Sequence, residues 1–276
     1  MLSGFDWTSL LLLVPLLIAA GFLTGFLAGL LGVGGGAVVV IVLYEAFRIA
    51  GVDESIRMHL TTGTSLAIIA PTTLRSFQAH MKSGVVDMGF LRRLAPMILI
   101  GVGIGIFCAG NSAGTVFKMV WAVMASILAA RMFLGDRGWR LGTDLPRSWW
   151  LEVYGIFVGF VSTMMSIGGG AYITILMLLY GRTVHQAVAT SSGFGPLIAV
   201  PGMLGFIWAG WGVPGLPPLS LGYVSVIGAL LTIPTGLLGA PIGARIAHRF
   251  TKRQLELAFG TFMTFVAVRF ILALVW

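Results

Sequence analysis

Charge is the scarcest property of this sequence: of 276 residues only 9% are Asp, Glu, Lys or Arg, against roughly 25% in an ordinary soluble domain. A soluble enzyme, a secreted module and a disordered tail are all excluded by that shortage. Cysteine is nearly absent too. The single Cys108 cannot close an internal disulfide, and no Cys/His grouping has metal-ligand spacing, so no disulfide scaffold, metal site or cofactor is indicated. Acidic residues number nine against seventeen Lys and Arg, a net charge of +8. In a soluble chain that balance would raise nucleic acid as a partner. Here most cations fall in short connections between apolar runs, the placement of cytoplasmic loops in membrane proteins, and no nucleic acid is expected. Met1 to Thr8 lacks Lys and Arg and contains Asp6, so the N-terminus does not read as a signal peptide.

What the chain has in abundance is apolar length, 58% by composition, with charge-free stretches such as Thr8 to Tyr44, Leu94 to Phe117 and Val153 to Gly181. A bilayer needs about 20 apolar residues per helical span. The segments read as 8–31, 36–47, 59–80, 88–109 and 115–134, then 149–165, 169–180, 186–208, 221–244 and 254–275, five in each half. The expected fold class is an all-α polytopic membrane protein embedded in the lipid bilayer.

The two halves echo each other. GVGGGAVVV at Gly32 to Val40 matches SIGGGAYIT at Ser166 to Thr174 at an offset of 134, and HLTTGTS at His59 to Ser65 matches HQAVATS at His185 to Ser191. Pro71 against Pro201 and Arg131 against Arg269 continue the series. The chain therefore divides into a first repeat, 1–134, a cytoplasmic connection, 135–148, and a second repeat, 149–276. Connections 75–93, 131–147 and 245–253 carry four cations each, whereas the repeat mate of the first is the uncharged Trp208 to Leu219 loop. If basic loops are cytoplasmic, equivalent loops face opposite sides. The repeats are then inverted in topology, with both termini on the non-cytoplasmic side of the inner membrane.

Thr8 to Tyr44 is too long for one straight span, at about 55 Å, yet short for two spans and a turn. Gly32-Val-Gly-Gly-Gly36 marks a break, and Ser166-Ile-Gly-Gly-Gly170 marks its mate, because glycine is the residue helices tolerate least after proline. Irregular backbone survives in a bilayer only when buried in protein or lining a cavity. A helix that restarts after such a break aims free N–H groups and its positive dipole end into the gap, which selects anions. Inverted breaks near the midplane are the architecture of secondary transporters. Gly34, Gly35, Gly36, Gly168, Gly169 and Gly170 are accordingly candidate binding positions for a small anionic substrate. Gly21, Gly25 and Gly29, at GxxxG-like spacing, read instead as close helix packing.

Thr62, Thr64 and Ser65, with Thr190, Ser191 and Ser192, supply hydroxyl donors at the start of equivalent spans, although Ser and Thr also cap and bridge membrane helices. His59 and His185 occupy equivalent positions and are candidates for proton coupling. Arg75 and Gln78 could supply substrate charge or hydrogen bonds, though an Arg near a helix end also snorkels to lipid phosphates. Arg269 lies in an apolar stretch, where reach to the outer interface competes with a role in function.

At GFLTGFLAGLLGVGGGAVVVIVLY (Gly21 to Tyr44), TTGTSLAIIAPTT (Thr61 to Thr73), HMKSGVVD (His80 to Asp87), SIGGGAYITILMLLYG and HQAVATSS, the sequence resembles the TauE/SafE family of sulfite exporters, also described as toluene sulfonate uptake permeases. The resemblance spans nearly the whole chain. It implies secondary active transport, in the export direction, of a sulfur-containing anion such as sulfite, sulfoacetate or another organosulfonate. The second half departs from the pattern, with Ala189 where the first has Gly63. An anion channel is the nearest alternative. An intramembrane serine hydrolase using Ser191 or Ser192 with His185 is a further one, although Ala189-Thr-Ser-Ser-Gly193 lacks the first glycine of a rhomboid-type GxSG.

Overall fold

The computed structural model describes residues 7–31, 36–82, 84–135, 142, 145, 148–247 and 249–275. Each apolar segment read from the sequence is helical. The first half contains α1 (Trp7–Leu31), α2 (Gly36–Ile49), α3 (Glu54–Lys82), α4 (Met88–Asn111) and α5 (Gly114–Leu134). In the second half follow α6 (Trp149–Met165), α7 (Gly170–Leu179), α8 (Val184–Ser192), α9 (Phe194–Ala209), α10 (Val226–Ala247) and α11 (Lys252–Val275). Among the described residues five helices are long and apolar enough to cross a membrane. By contrast α2 and α7, with 14 and 10 residues, reach only about 21 and 15 Å at 1.5 Å per residue, roughly half to two-thirds of a hydrocarbon core.

Local sequence explains where the helices start. Asp53 Oδ1 accepts from the Ser55 N–H at 2.8 Å ahead of α3, Asp87 Oδ1 accepts from the Phe90 N–H at 3.0 Å at α4, and the Thr183 hydroxyl accepts from the Gln186 N–H at 3.3 Å at α8. Each satisfies one of the N–H groups that a first turn leaves without a partner. Three boundaries differ most from the sequence reading, the first being α3, which starts at Glu54 rather than at 59. The 186–208 segment divides at Gly193, where a methyl would stand 2.7 Å from Leu91 Cδ1 and 2.9 Å from Phe77 Cε2. The 221–244 segment becomes helical only at Val226, because Ser220–Leu221 and Val224–Ser225 form a short antiparallel hairpin. Leu219 at φ 57° and Gly222 at φ 53° turn that hairpin back onto α9, where the Tyr223 N–H donates to the Phe206 carbonyl at 3.1 Å.

The helices pack by exchange between the halves: α1 lies along α10 and α6 along α4, while α3 rests on α9 and α5 on α11. Glycine makes the first two contacts possible. A methyl at Gly25 would stand 2.0 Å from the Gly236 carbonyl oxygen, and one at Gly159 would stand 2.2 Å from that of Ile98. Gly25 and Gly159 are themselves 134 residues apart, the offset at which the glycine runs align. Small residues let membrane helices approach closely enough for dispersion to hold them where no hydrophobic drive exists. Outward lie apolar side chains such as Phe107, Leu230, Leu238 and Phe265. Trp149, Trp208 and Trp211 are exposed at or near helix ends, as in the aromatic belts of bilayer interfaces.

Two ion pairs tie helix ends together. Arg269 of α11 donates through Nε to Glu45 of α2 at 2.8 Å, with its Nη2 2.7 Å from the same oxygen, and its guanidinium lies over the Tyr44 ring. Buried Lys118 pairs with exposed Glu54 and also donates to the Ala273 carbonyl at 3.3 Å.

Candidate functional site

The second break is built from two dissimilar helix ends. α6 closes on itself: Ser166 adopts the left-handed conformation (φ 51°, ψ 39°). Its N–H donates to the Thr163 carbonyl at 3.2 Å, and the Ile167 N–H donates to the Ser162 carbonyl at 3.0 Å. This is a Schellman termination, which satisfies terminal carbonyls internally and ordinarily places glycine at the left-handed position. α7 opens on Gly169, also left-handed at φ 67° and ψ −13°, with no side-chain cap. Its first backbone hydrogen bond runs from the Ile173 N–H to the Gly169 carbonyl, so the amides of Gly170, Ala171 and Tyr172 precede any intrahelical acceptor. The negative helix end is closed and the positive one open, a polarity that favours an anion.

The start of α2 meets the second break. A methyl on Gly36, the first residue of α2, would stand 2.4 Å from the Ser166 carbonyl oxygen and 3.2 Å from Ile167 Cα. The start of α2 is therefore pressed against the turn that ends α6. Gly34 and Gly35 lie outside the described residues. Around the second break, a methyl at Gly168 would lie 3.4 Å from Thr73 Cγ2, one at Gly169 would lie 2.5 Å from Ile198 Cδ1, and one at Gly170 would lie 3.9 Å from Ser191 Oγ. Thr73 of α3 and Ile198 of α9 are thus the walls, and both are uncharged.

The hydroxyls separate into two groups. In the second half, Ser191 Oγ donates to the Val188 carbonyl at 3.0 Å and accepts from Thr174 Oγ1 at 2.8 Å, while Ser192 Oγ donates to the Ala189 carbonyl at 2.7 Å. The Thr190 hydroxyl accepts from the Asp87 N–H at 2.9 Å. Its repeat mate Thr64 accepts from the Ser225 N–H at the same distance. The two bonds are equivalent and cross between halves, each anchoring the residue that caps a long helix of the other half, Asp87 at α4 and Ser225 at α10. Thr61, Thr62 and Ser65, by contrast, are fully buried with no hydrogen-bond partner. So are Ser162 and Ser166, which the sequence reading did not single out. Ser166 could have been noticed as the one polar residue adjoining its glycines. Nothing in the sequence marks Ser162. An unpaired buried hydroxyl costs free energy that most proteins avoid.

The remaining candidates lie elsewhere. Arg75, Gln78 and His185 are exposed. His59 is buried, with Nε2 3.0 Å from the Ser112 carbonyl oxygen and its ring against Phe117 and Tyr223. It precedes Thr73 by 14 residues of α3, about 21 Å along the axis. Ser65 and Thr62 stand about 12 and 16 Å from Thr73 in the same measure, so they lie away from the second break. The hydrolase arrangement is not assembled: Ser191 and Ser192 donate to carbonyls of their own helix, and His185 lies about 9 to 10 Å away along α8.

Apolar helices of spanning length and half-length helices that open on glycine, with Gly36 of α2 pressed on the turn that ends α6, are the features of a multi-pass membrane transporter. The chain belongs to the family described as Sulfite exporter TauE/SafE, which it matches over residues 17–270. It is 32% identical over 259 residues to a "probable membrane transporter protein" of Haemophilus influenzae, covering 94% of this chain and 98% of the relative. A protein of the same description from Methanocaldococcus jannaschii is 26% identical, over 92% of this chain and 93% of its own. One from Bacillus subtilis is 25% identical over 88% and 94%. No solved structure matches the chain. These names point to a transporter rather than an enzyme.

Proposed function

We propose that this protein is a secondary active transporter that exports a small sulfur-containing anion, of the class of sulfite, sulfoacetate or another organosulfonate, across the inner membrane by alternating access. The observation that carries the reading is the contact of α2 with the second break: Gly36 rests on the Ser166 carbonyl, at the turn that precedes the uncapped start of α7. Gly34, Gly35, Gly36, Gly168, Gly169 and Gly170 form the centre of the site, where side chains are absent and backbone amides reach the ligand. Thr62, Ser65, Thr64, Thr190, Ser191 and Ser192 line the path on either side. The exchanged packing of α1 on α10 and α6 on α4 supports two inverted repeats, 1–134 and 149–276, joined by a cytoplasmic connection at 135–148, with both termini outside. Rocking of one repeat-derived bundle against the other would expose the breaks to each side in turn.

The test is counterflow of labelled sulfite and sulfoacetate in proteoliposomes. Gly168→Ala is the most informative variant, because a methyl there meets only Thr73 Cγ2 at 3.4 Å and Gly195 Cα at 3.5 Å, ordinary contacts that leave the fold intact. It is expected to impair flux while the protein remains folded in detergent, as is Gly35→Leu. Unaltered kinetics in both would remove the breaks from the mechanism. Saturable counterflow excludes a channel, and flux that ignores an imposed pH gradient removes proton coupling through His59 or His185.

A further inference from the structure

We infer that Ser162 and Ser166 are substrate-binding residues, donating their hydroxyl hydrogens to oxygens of the transported anion at the second break. This rests on the anion reading above and adds to it the side chains that meet the charge.

Both serines carry costs that the backbone does not require. Ser166 holds the left-handed position of the α6 termination at φ 51°, a conformation that disfavours any Cβ and is ordinarily left to glycine. At the sequence offset of 134 the residue aligned with it in the first half is Gly32. The Ser166 hydroxyl is also fully buried and unpartnered. Ser162 sits one turn earlier, in the last turn of α6, equally buried and equally unpartnered. A helical serine can donate to the carbonyl four residues back, as neighbouring Thr163 does to Gly159 at 2.8 Å. Ser162 makes no such bond. Its Oγ lies 3.5 Å from the point a Cβ on Gly169, the residue that opens α7, would occupy.

The Ser162 hydroxyl thus stands beside the glycine that opens α7, and the other atoms nearest that Cβ point are apolar, Ile198 Cδ1 at 2.5 Å and Val158 Cγ1 at 3.6 Å. The donor set is neutral. Such a set suits a weakly basic anion whose charge is spread over several oxygens, each taking one donor, as a sulfonate or sulfite does. A fixed cation would hold the same ligand more tightly and release it more slowly.

Strain and binding predict opposite signs, which makes the test decisive. Binding of sulfoacetate and of sulfite is measured on the full-length protein in detergent by calorimetric titration and thermal shift. The proteins compared are wild type, Ser166→Gly, Ser162→Ala and, as control, Ser126→Ala, whose exposed hydroxyl only donates to Ala122. Ser166→Gly and Ser162→Ala are expected to melt, without ligand, at or above the wild-type temperature and to lose about tenfold in affinity each; the control changes neither. Undiminished affinity in both variants overturns the assignment while leaving the anion reading intact. Ligand-free melting below wild type in both shows that the hydroxyls serve packing, and also overturns it. Absence of binding by the wild type overturns the anion reading and this assignment together.

Discussion

Two glycines in α4, two residues apart, should respond to the same substitution with opposite signs. A methyl at Gly101 would stand 2.1 Å from the Ile156 carbonyl oxygen and 2.8 Å from the Phe160 nitrogen, both backbone atoms of α6 that no rotamer change can move. Ordinary contact begins near 3.5 Å, so α4 and α6 must part by somewhat over 1 Å, loosening the Gly159 contact on the Ile98 carbonyl as well. Overpacking of this kind costs about 1–3 kcal/mol. Gly103 is exposed, with no atom within 4 Å of its added methyl. Replacing a glycine by alanine within a helix gains up to about 1 kcal/mol. Gly101→Ala and Gly103→Ala should therefore bracket the wild type in thermal melting of the detergent-solubilised protein. The separation between them should correspond to about 2–4 kcal/mol. If Gly101→Ala melts at or above wild type, the close approach of α4 and α6 is wrong, and with it the exchanged packing of the halves.

The crossing hydrogen bonds at Thr64 and Thr190 should each lose about 1–3 kcal/mol on replacement by valine, the cost of orphaning a donor. Thr64→Val should cost more, because the Ser225 amide it abandons belongs to a buried residue whereas Asp87 is half-buried; equal melting of the two variants would contradict this. Glu54→Gln should destabilise more than Lys118→Met. The first strands a cation whose side chain is 5% exposed, while the second leaves a carboxylate that is 65% exposed and solvated. The reverse order in chemical denaturation would sink that assignment. Asp53, in the connection between α2 and α3, has its carboxyl held below the ordinary 3.8, first by the Ser55 hydroxyl and then by the Ser55 amide. A depressed folded pKa contributes stability above 3.8 that is withdrawn as pH falls through the folded value. Ser55→Ala should therefore flatten the acid limb of the melting curve below about pH 4; an unchanged limb would show the hydroxyl to be idle.

Much of the bundle was legible in the sequence because the signals involved are local. Apolar length locates helices in a bilayer, and three consecutive glycines interrupt one wherever they fall. The expected segment 149–165 agrees with α6, and 36–47 becomes α2 with two residues more. Close packing at Gly21 and Gly25 was also anticipated, and both meet backbone of α10. Less of the site was legible. Thr62, Thr64, Ser65, Thr190, Ser191 and Ser192 are chemically alike in sequence, yet some are bonded to their own helix, some anchor a cap across the molecule and some are orphaned. Arg269 posed a similar ambiguity, resolved by Glu45, 224 positions away.

The membrane setting, the helices, the break at Ser166 to Gly170 and the family all follow from the order of residues, since each depends on composition or spacing within a few turns. Only the packed bundle reveals that Gly36 lies on the Ser166 carbonyl, that α6 closes with a serine where glycine is customary, and that Ser162 and Ser166 keep hydroxyls with no partner. The physical reason is that satisfaction of a polar group depends on which distant backbone arrives beside it. That is a property of how helices pack, and no residue's own neighbours in the chain encode it.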